Sequence, residues 1–164
     1  MKYLNLLFLT AIVIILQACS TSKAVISQGV DLTKYSYVVF GKETNGDREL
    51  DDIVMAVQNE IADTNLKVVS AEEGLAKIAA GESVLTPNIN VSTEKWDGGY
   101  TYITISFYDY KTDQIVIVVK SSGIGLTISH DQNIALNAIR KKLKMVFGDK
   151  NDNKEIIKKY EKTF

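Results

Sequence analysis

Over residues 88–93 and again over 100–107 the apolar residues recur at every second position, a period that suits a β-sheet and little else. Ile89, Val91 and Thr93 alternate with Asn88, Asn90 and Ser92. Asp97-Gly98-Gly99 supplies a turn signal, and residues 100–110 follow. There Ile103, Ile105 and Phe107 share one face, while Tyr100, Tyr102, Thr104, Ser106, Tyr108 and Tyr110 share the other. Residues 109–113 turn the chain into 115–120, which is nearly all β-branched. Three strands joined in this way form an antiparallel meander with at least one buried face.

On either side the pattern changes. Residues 35–40 (Tyr-Ser-Tyr-Val-Val-Phe) predict a strand, and 41–48 a loop turning at Asn45-Gly46. Residues 49–64 predict a helix, with Leu50, Ile53, Val54, Val57 and Ile61 on one face and Glu49, Asp51 and Asp52 favouring its positive end. A short strand over 66–70 and a short helix over 71–80, stopped by Gly81, lead into the meander. Ser129 and Gln132 have capping-box spacing before a final helix over 130–147, which ends at Gly148. This helix buries Ile134, Ala138, Ile139, Leu143 and Phe147 and exposes Arg140, Lys141, Lys142 and Lys144. The order β-α-β-α-β-β-β-α predicts an α+β domain over 34–148, a mixed sheet with its helices packed on one face. Residues 149–164 form a charged tail with a weak stripe of Ile156, Ile157, Tyr160 and Phe164.

The first nineteen residues carry a different signal. Lys2 precedes eleven residues, Leu6 to Leu16, of which Thr10 alone is polar. A membrane-spanning helix needs about 20 apolar residues. A run this short behind a positive end is the pattern of a secretory signal segment. Leu16-Gln17-Ala18-Cys19 then resembles a lipobox, in which cleavage precedes the Cys and its thiol receives a diacylglyceryl group. Cys19 is the single Cys of the chain, so acylation consumes a thiol with no disulfide partner. Residues 1–18 are therefore expected as a signal peptide, and 19–33, polar and patternless, as a lipidated tether. The membrane is thus an expected partner through the anchor. Ser20 rather than Asp after the Cys, read by enterobacterial sorting, favours the periplasmic side of the outer membrane; the inner membrane and the cell surface stay open.

The remaining candidates for chemistry are few. With 19 basic and 20 acidic residues, net charge is −1, which gives no electrostatic reason for a nucleic-acid partner. His130, the one histidine, lies between Ser129 and Asp131, but adjacent residues at a helix start diverge and cannot form a catalytic relay. One His and one acylated Cys leave no metal site beyond carboxylates, and Asn45-Gly46-Asp47-Arg48-Glu49 lacks calcium-loop spacing. Gly123-Ile124-Gly125 lacks the third glycine of a dinucleotide loop and the Lys of a phosphate loop, so the glycines are read as easing a turn. No metal and no cofactor is expected. Tyr100, Tyr102, Tyr108 and Tyr110, with Trp96 beside them, offer an aromatic surface for a protein partner.

Asp31-Leu32-Thr33-Lys34-Tyr35 before the first strand, Gly123-Ile124-Gly125 after the meander and the Ala/Ile-rich helix from Ala135 to Leu143 recur in a familiar order. In this, residues 31–147 resemble small Gram-negative lipoproteins with an α/β domain of no assigned activity. More distantly they resemble periplasmic domains of the curli-secretion lipoprotein and the amino-terminal domain of the Tol translocation protein. The resemblance implies a non-enzymatic envelope component working through protein contacts. Two functions are therefore carried forward. One is a membrane-anchored binding or assembly module and no enzyme. The other is a carboxylate-based enzyme or small-ligand binder with a pocket near Gly123 and Gly125.

Overall fold

Each segment with a clear apolar period becomes the element its period predicts, and the strands join in one sheet. The computed structural model describes residues 19–41, 50–94, 96 and 99–150. In chain order these form strand β1 (Cys19–Ile26), a single 3-10 turn (Leu32–Lys34), strand β2 (Tyr35–Val38) and helix α1 (Asp51–Ala62). Strand β3 (Lys67–Val68), helix α2 (Ala71–Ala79), strands β4 (Ser83–Thr93), β5 (Tyr100–Asp109) and β6 (Ile115–Ile124) and helix α3 (Ile128–Phe147) follow. The sheet order is β1-β6-β5-β4-β2-β3, parallel among β2, β3 and β4 and antiparallel elsewhere. This is the expected α+β architecture with its C-terminal meander. The expected signal segment (1–18), the Asn45-Gly46 turn and the stripe at 156–164 lie outside the described residues.

Handedness decides where the helices sit. The connection β2-α1-β3 steps outward across the sheet, and β3-α2-β4 steps back. Right-handed crossovers in opposite directions place their helices on opposite faces. Accordingly α1 and α3 pack together over the face holding Val38, Leu85, Ile103, Ile105 and Phe107. Helix α2 instead covers the other face at its parallel end, over Val39 and Val84. Gly74 permits that contact, because a Cβ there would lie 2.5 Å from Val39 Cγ2.

Backbone pairing explains Pro87 inside a central strand. Glu94 N donates to Tyr100 O, so even-numbered residues of β4 hold the hydrogen-bonding positions toward β5. Pro87 therefore turns its missing N–H toward β2, which has already ended at Val38. The ladder loses nothing there.

Two expectations about the fold fail. The helices do not all pack on one face, because the return crossover from β3 to β4 puts α2 opposite α1 and α3. The N-terminal part of the expected tether, Cys19–Ile26, is an edge strand paired antiparallel with β6 over its whole length. Its Ser-Thr-Ser-Lys sequence has no apolar alternation, because one edge and one face of β1 meet water; Ala24 alone packs against the core.

The core is closed by Phe107, fully buried and edge-on to Phe147 with ring centroids 5.1 Å apart. Arg140 of α3 clamps Glu60 of α1, its Nε 2.7 Å from Oε2 with a second bond from the other guanidinium arm. A buried carboxylate demands such a charged, bidentate partner. Phe107→Ala should therefore lower unfolding free energy by about 3–5 kcal/mol. Tyr102→Ser, on the opposite face, should cost about 1 kcal/mol from lost strand propensity. Urea melts compare the two; equal losses would mean that both faces are buried.

Candidate functional site

The face of the meander opposite α1 and α3 is covered by no described helix beyond the α2 end. Cross-strand register arranges it in rows: Cys19, Ile124 and Tyr100; Thr21, Ser122, Tyr102 and Ser92; Lys23, Lys120, Thr104 and Asn90. Tyr100 and Tyr102, two residues apart on one strand, stack with ring centroids 5.7 Å apart and planes 13° from parallel. They are 36% and 45% exposed. Beside them Thr21 Oγ1 and Ser122 Oγ share a 2.7 Å hydrogen bond.

The four tyrosines do not form one platform. Six residues of strand, about 20 Å, separate Tyr102 from Tyr108. Tyr108 and Tyr110 are half-buried toward the end that α2 covers. Trp96 lies in the β4–β5 hairpin beside Tyr100 and is 59% exposed. The register also shows a feature that single-strand reading misses. Lys23 and Lys120 stand directly opposite each other on this face, both exposed, and its strand positions hold no Asp or Glu. Such a pair is unfavourable alone.

At the start of α3, Ser129 is not the cap. Thr127 is the N-cap, its Oγ1 accepting from His130 N at 3.2 Å, so the helix begins two residues earlier than the capping-box spacing suggests. Ser129 and His130 face solvent while Asp131 is fully buried, so the three side chains do not converge. Both Asp131 carboxylate oxygens accept no hydrogen bond from the described residues.

Gly123 and Gly125 serve close packing. A Cβ on Gly123 would lie 2.4 Å from Asp131 O and 2.5 Å from Ala135 N, and one on Gly125 would lie 2.8 Å from Asp131 Oδ1. Helix α3 occupies the space in front of both. A depression on the open face is lined by Gly41, Thr86, Asn88, Tyr108 and Asp113. Another, lined by Leu32, Tyr35, Leu66 and Phe147, contains no acid. Among the described residues no group of three His, Cys, Asp or Glu could hold a metal, and no helix is long and apolar enough to cross a membrane.

The clearest titrating pair joins β2 to the end of β5. Tyr35 Oη donates to Asp109 Oδ2 at 2.9 Å, and Asp109 Oδ1 accepts from the amides of Lys111 and Thr112 to close the turn. Burial, then the carboxylate, pushes the Tyr35 phenol up to about 12. Burial alone would raise the Asp109 carboxyl, but the Thr112 amide, the Tyr35 hydroxyl and the Lys111 amide together hold it below its usual value. The pair is structural.

No family model matches the sequence, and no curated protein matches it. Among solved structures, a PelC dodecamer from Paraburkholderia phytofirmans carrying one methionine substitution is 14% identical, with a TM-score of 0.49 over 79% of this chain and 99% of that one. A second PelC dodecamer from the same organism is 12% identical, with a TM-score of 0.48 over 80% of this chain and 100% of that one. Likeness of this degree carries neither a site nor an activity across.

Because the folded phenol titrates above its ordinary value of 10.0, Tyr35 contributes its full stability below about pH 10 and loses it as pH rises toward about 12. The urea midpoint should fall across that window. Tyr35→Phe should start lower and fall less, and an equally steep fall in the variant would remove Tyr35 as its source.

Proposed function

We propose that the chain is an envelope lipoprotein, anchored through an acylated Cys19, whose open sheet face binds another envelope protein without catalysing a reaction. The observation that carries this reading is the uncovered meander face with its exposed Tyr100–Tyr102 stack. Stacked rings framed by hydroxyls and amides present a rigid amphipathic surface at low entropic cost, the chemistry enriched where proteins meet. The sequence adds the short apolar run and Leu16-Gln17-Ala18-Cys19. Ser20 after the Cys supports the periplasmic leaflet of the outer membrane as its place.

The enzymatic alternative has less to stand on. A pocket near Gly123 and Gly125 would need the volume that the α3 backbone fills. Ser129, His130 and Asp131 diverge, and Asp113 is the one acid lining the depression on the open face.

Two measurements test the proposal. Intact-mass analysis of the membrane fraction should show lipid mass on the protein and none on Cys19→Ser; a mature native protein without that mass ends the lipoprotein reading. A photo-crosslinking side chain placed at Asn90, on the open face, should trap a discrete envelope protein in intact cells. The same group at Met55, exposed on α1, should not. Identical products at both positions would remove the open face as the contact surface.

A further inference from the structure

We infer that the sheet stands end-on to the bilayer, its strands rising from the membrane, with Trp96, Tyr100, Tyr102 and Leu126 at headgroup level. This inference rests on the proposed acylation of Cys19 and deepens it by fixing how the domain meets the lipid.

The argument begins with chain length. A lipoprotein with a flexible tether can face any direction. Here Cys19 already pairs with Ile124, and Ser20 with Gly123, so no residue separates the acylated position from the sheet. Lipid attached to residue 19 must therefore enter the bilayer beside the end of β6.

The same register brings aromatic residues to that end. Cys19, Ile124 and Tyr100 are neighbours across three strands. At about 4.8 Å per strand, the Tyr100 backbone lies about 10 Å from that of Cys19. Trp96 sits in the hairpin leading into Tyr100, and Leu126 lies two residues beyond β6; they are 59% and 57% exposed. Other exposed apolar residues, such as Val25, Ile26 and Ile115 near the opposite end of β1 and β6, are aliphatic. The exposed Trp and the stacked Tyr pair belong to the Cys19 end. Rings with an apolar body and a polar tip settle at the membrane–water boundary, where the body leaves water and the N–H or O–H keeps a partner.

Two properties of the chain follow. Ten residues of β6 span about 30 Å, so Ile115 is held well away from the lipid. The open face then stands perpendicular to the membrane: the Tyr100–Tyr102 stack at its foot meets headgroups on its lower edge and the docked protein on its outer face, and that protein, reaching up to Lys23, Lys120, Thr104 and Asn90, sits beside the bilayer.

Trp96 is the single tryptophan, which makes the orientation directly measurable. The acylated protein is reconstituted into phosphatidylethanolamine–phosphatidylglycerol vesicles with or without bromine on the upper acyl carbons. Trp96 emission should fall at least twofold in the brominated vesicles. In a double variant, Trp96→Phe with Ile115→Trp, emission should be unaffected by bromine. Intact mass recorded on the same samples separates the two claims. Protein without lipid mass ends the anchoring reading and this inference with it. Acylated protein in which neither position is quenched, or both are quenched equally, overturns the end-on orientation while leaving the anchor in place.

Discussion

The contact between α3 and β6 determines the rest of the molecule. Two strand residues make it possible by what they lack or offer. Gly123 has no Cβ, so the backbone at Asp131 and Ala135 rests directly on the strand. Ser121, buried beside it, donates to Ala135 O at 2.9 Å and satisfies a polar group that the close approach has removed from water. With α3 held this tightly, Ala135, Ile139 and Leu143 reach Ile103, Ile105 and Phe107, and one face of the meander is sealed.

Sealing one face leaves the other. Two helices running in the same direction, bound to each other by Arg140 and Glu60 and meeting again where Lys150 N donates to Asp63 O, cover the core side, and chain handedness sends α2 to the opposite side at the parallel end. What stays open is the half of the sheet built from β1, β6, β5 and the far part of β4. Its side chains are short hydroxyls and amides, two lysines, the aliphatics Val25, Val118 and Ile124, and the Tyr100–Tyr102 stack. An antiparallel sheet tolerates a wet face of this kind, and the proposed contact surface is a by-product of where the helices had to go.

The sequence was legible where a period was strong. Alternation named the meander and its faces, and helical spacing placed all three helices to within about two residues. It was not legible in β1, because Ser20, Thr21, Ser22 and Lys23 pair mainly through backbone and bury almost nothing. The cap of α3 was misplaced since Thr127 and Ser129 are both good cap residues, and Gln132 at the matching spacing favoured the wrong one. Gly123 and Gly125 read as turn relaxants, although their role depends on the helix that follows, whose residues 130–135 fold back against them. The tyrosine face was found, but not its division into an exposed pair and a half-buried pair. The opposed Lys23 and Lys120 needed the β1 register to become visible at all.

Both the open face and the untethered link to Cys19 depend on β1 being part of the sheet. Ser27 N donates to Val116 O, which sets the alternation along the ladder. The amides of Thr21, Lys23 and Val25 therefore point at β6, and those of Ser20, Ser22 and Ala24 point outward. Residue-resolved amide hydrogen exchange measures this directly. The account predicts slow exchange at Thr21, Lys23 and Val25 alternating with fast exchange at Ser20, Ser22 and Ala24. Uniformly fast exchange from Ser20 to Val25 would mean a free tether, and would contradict it.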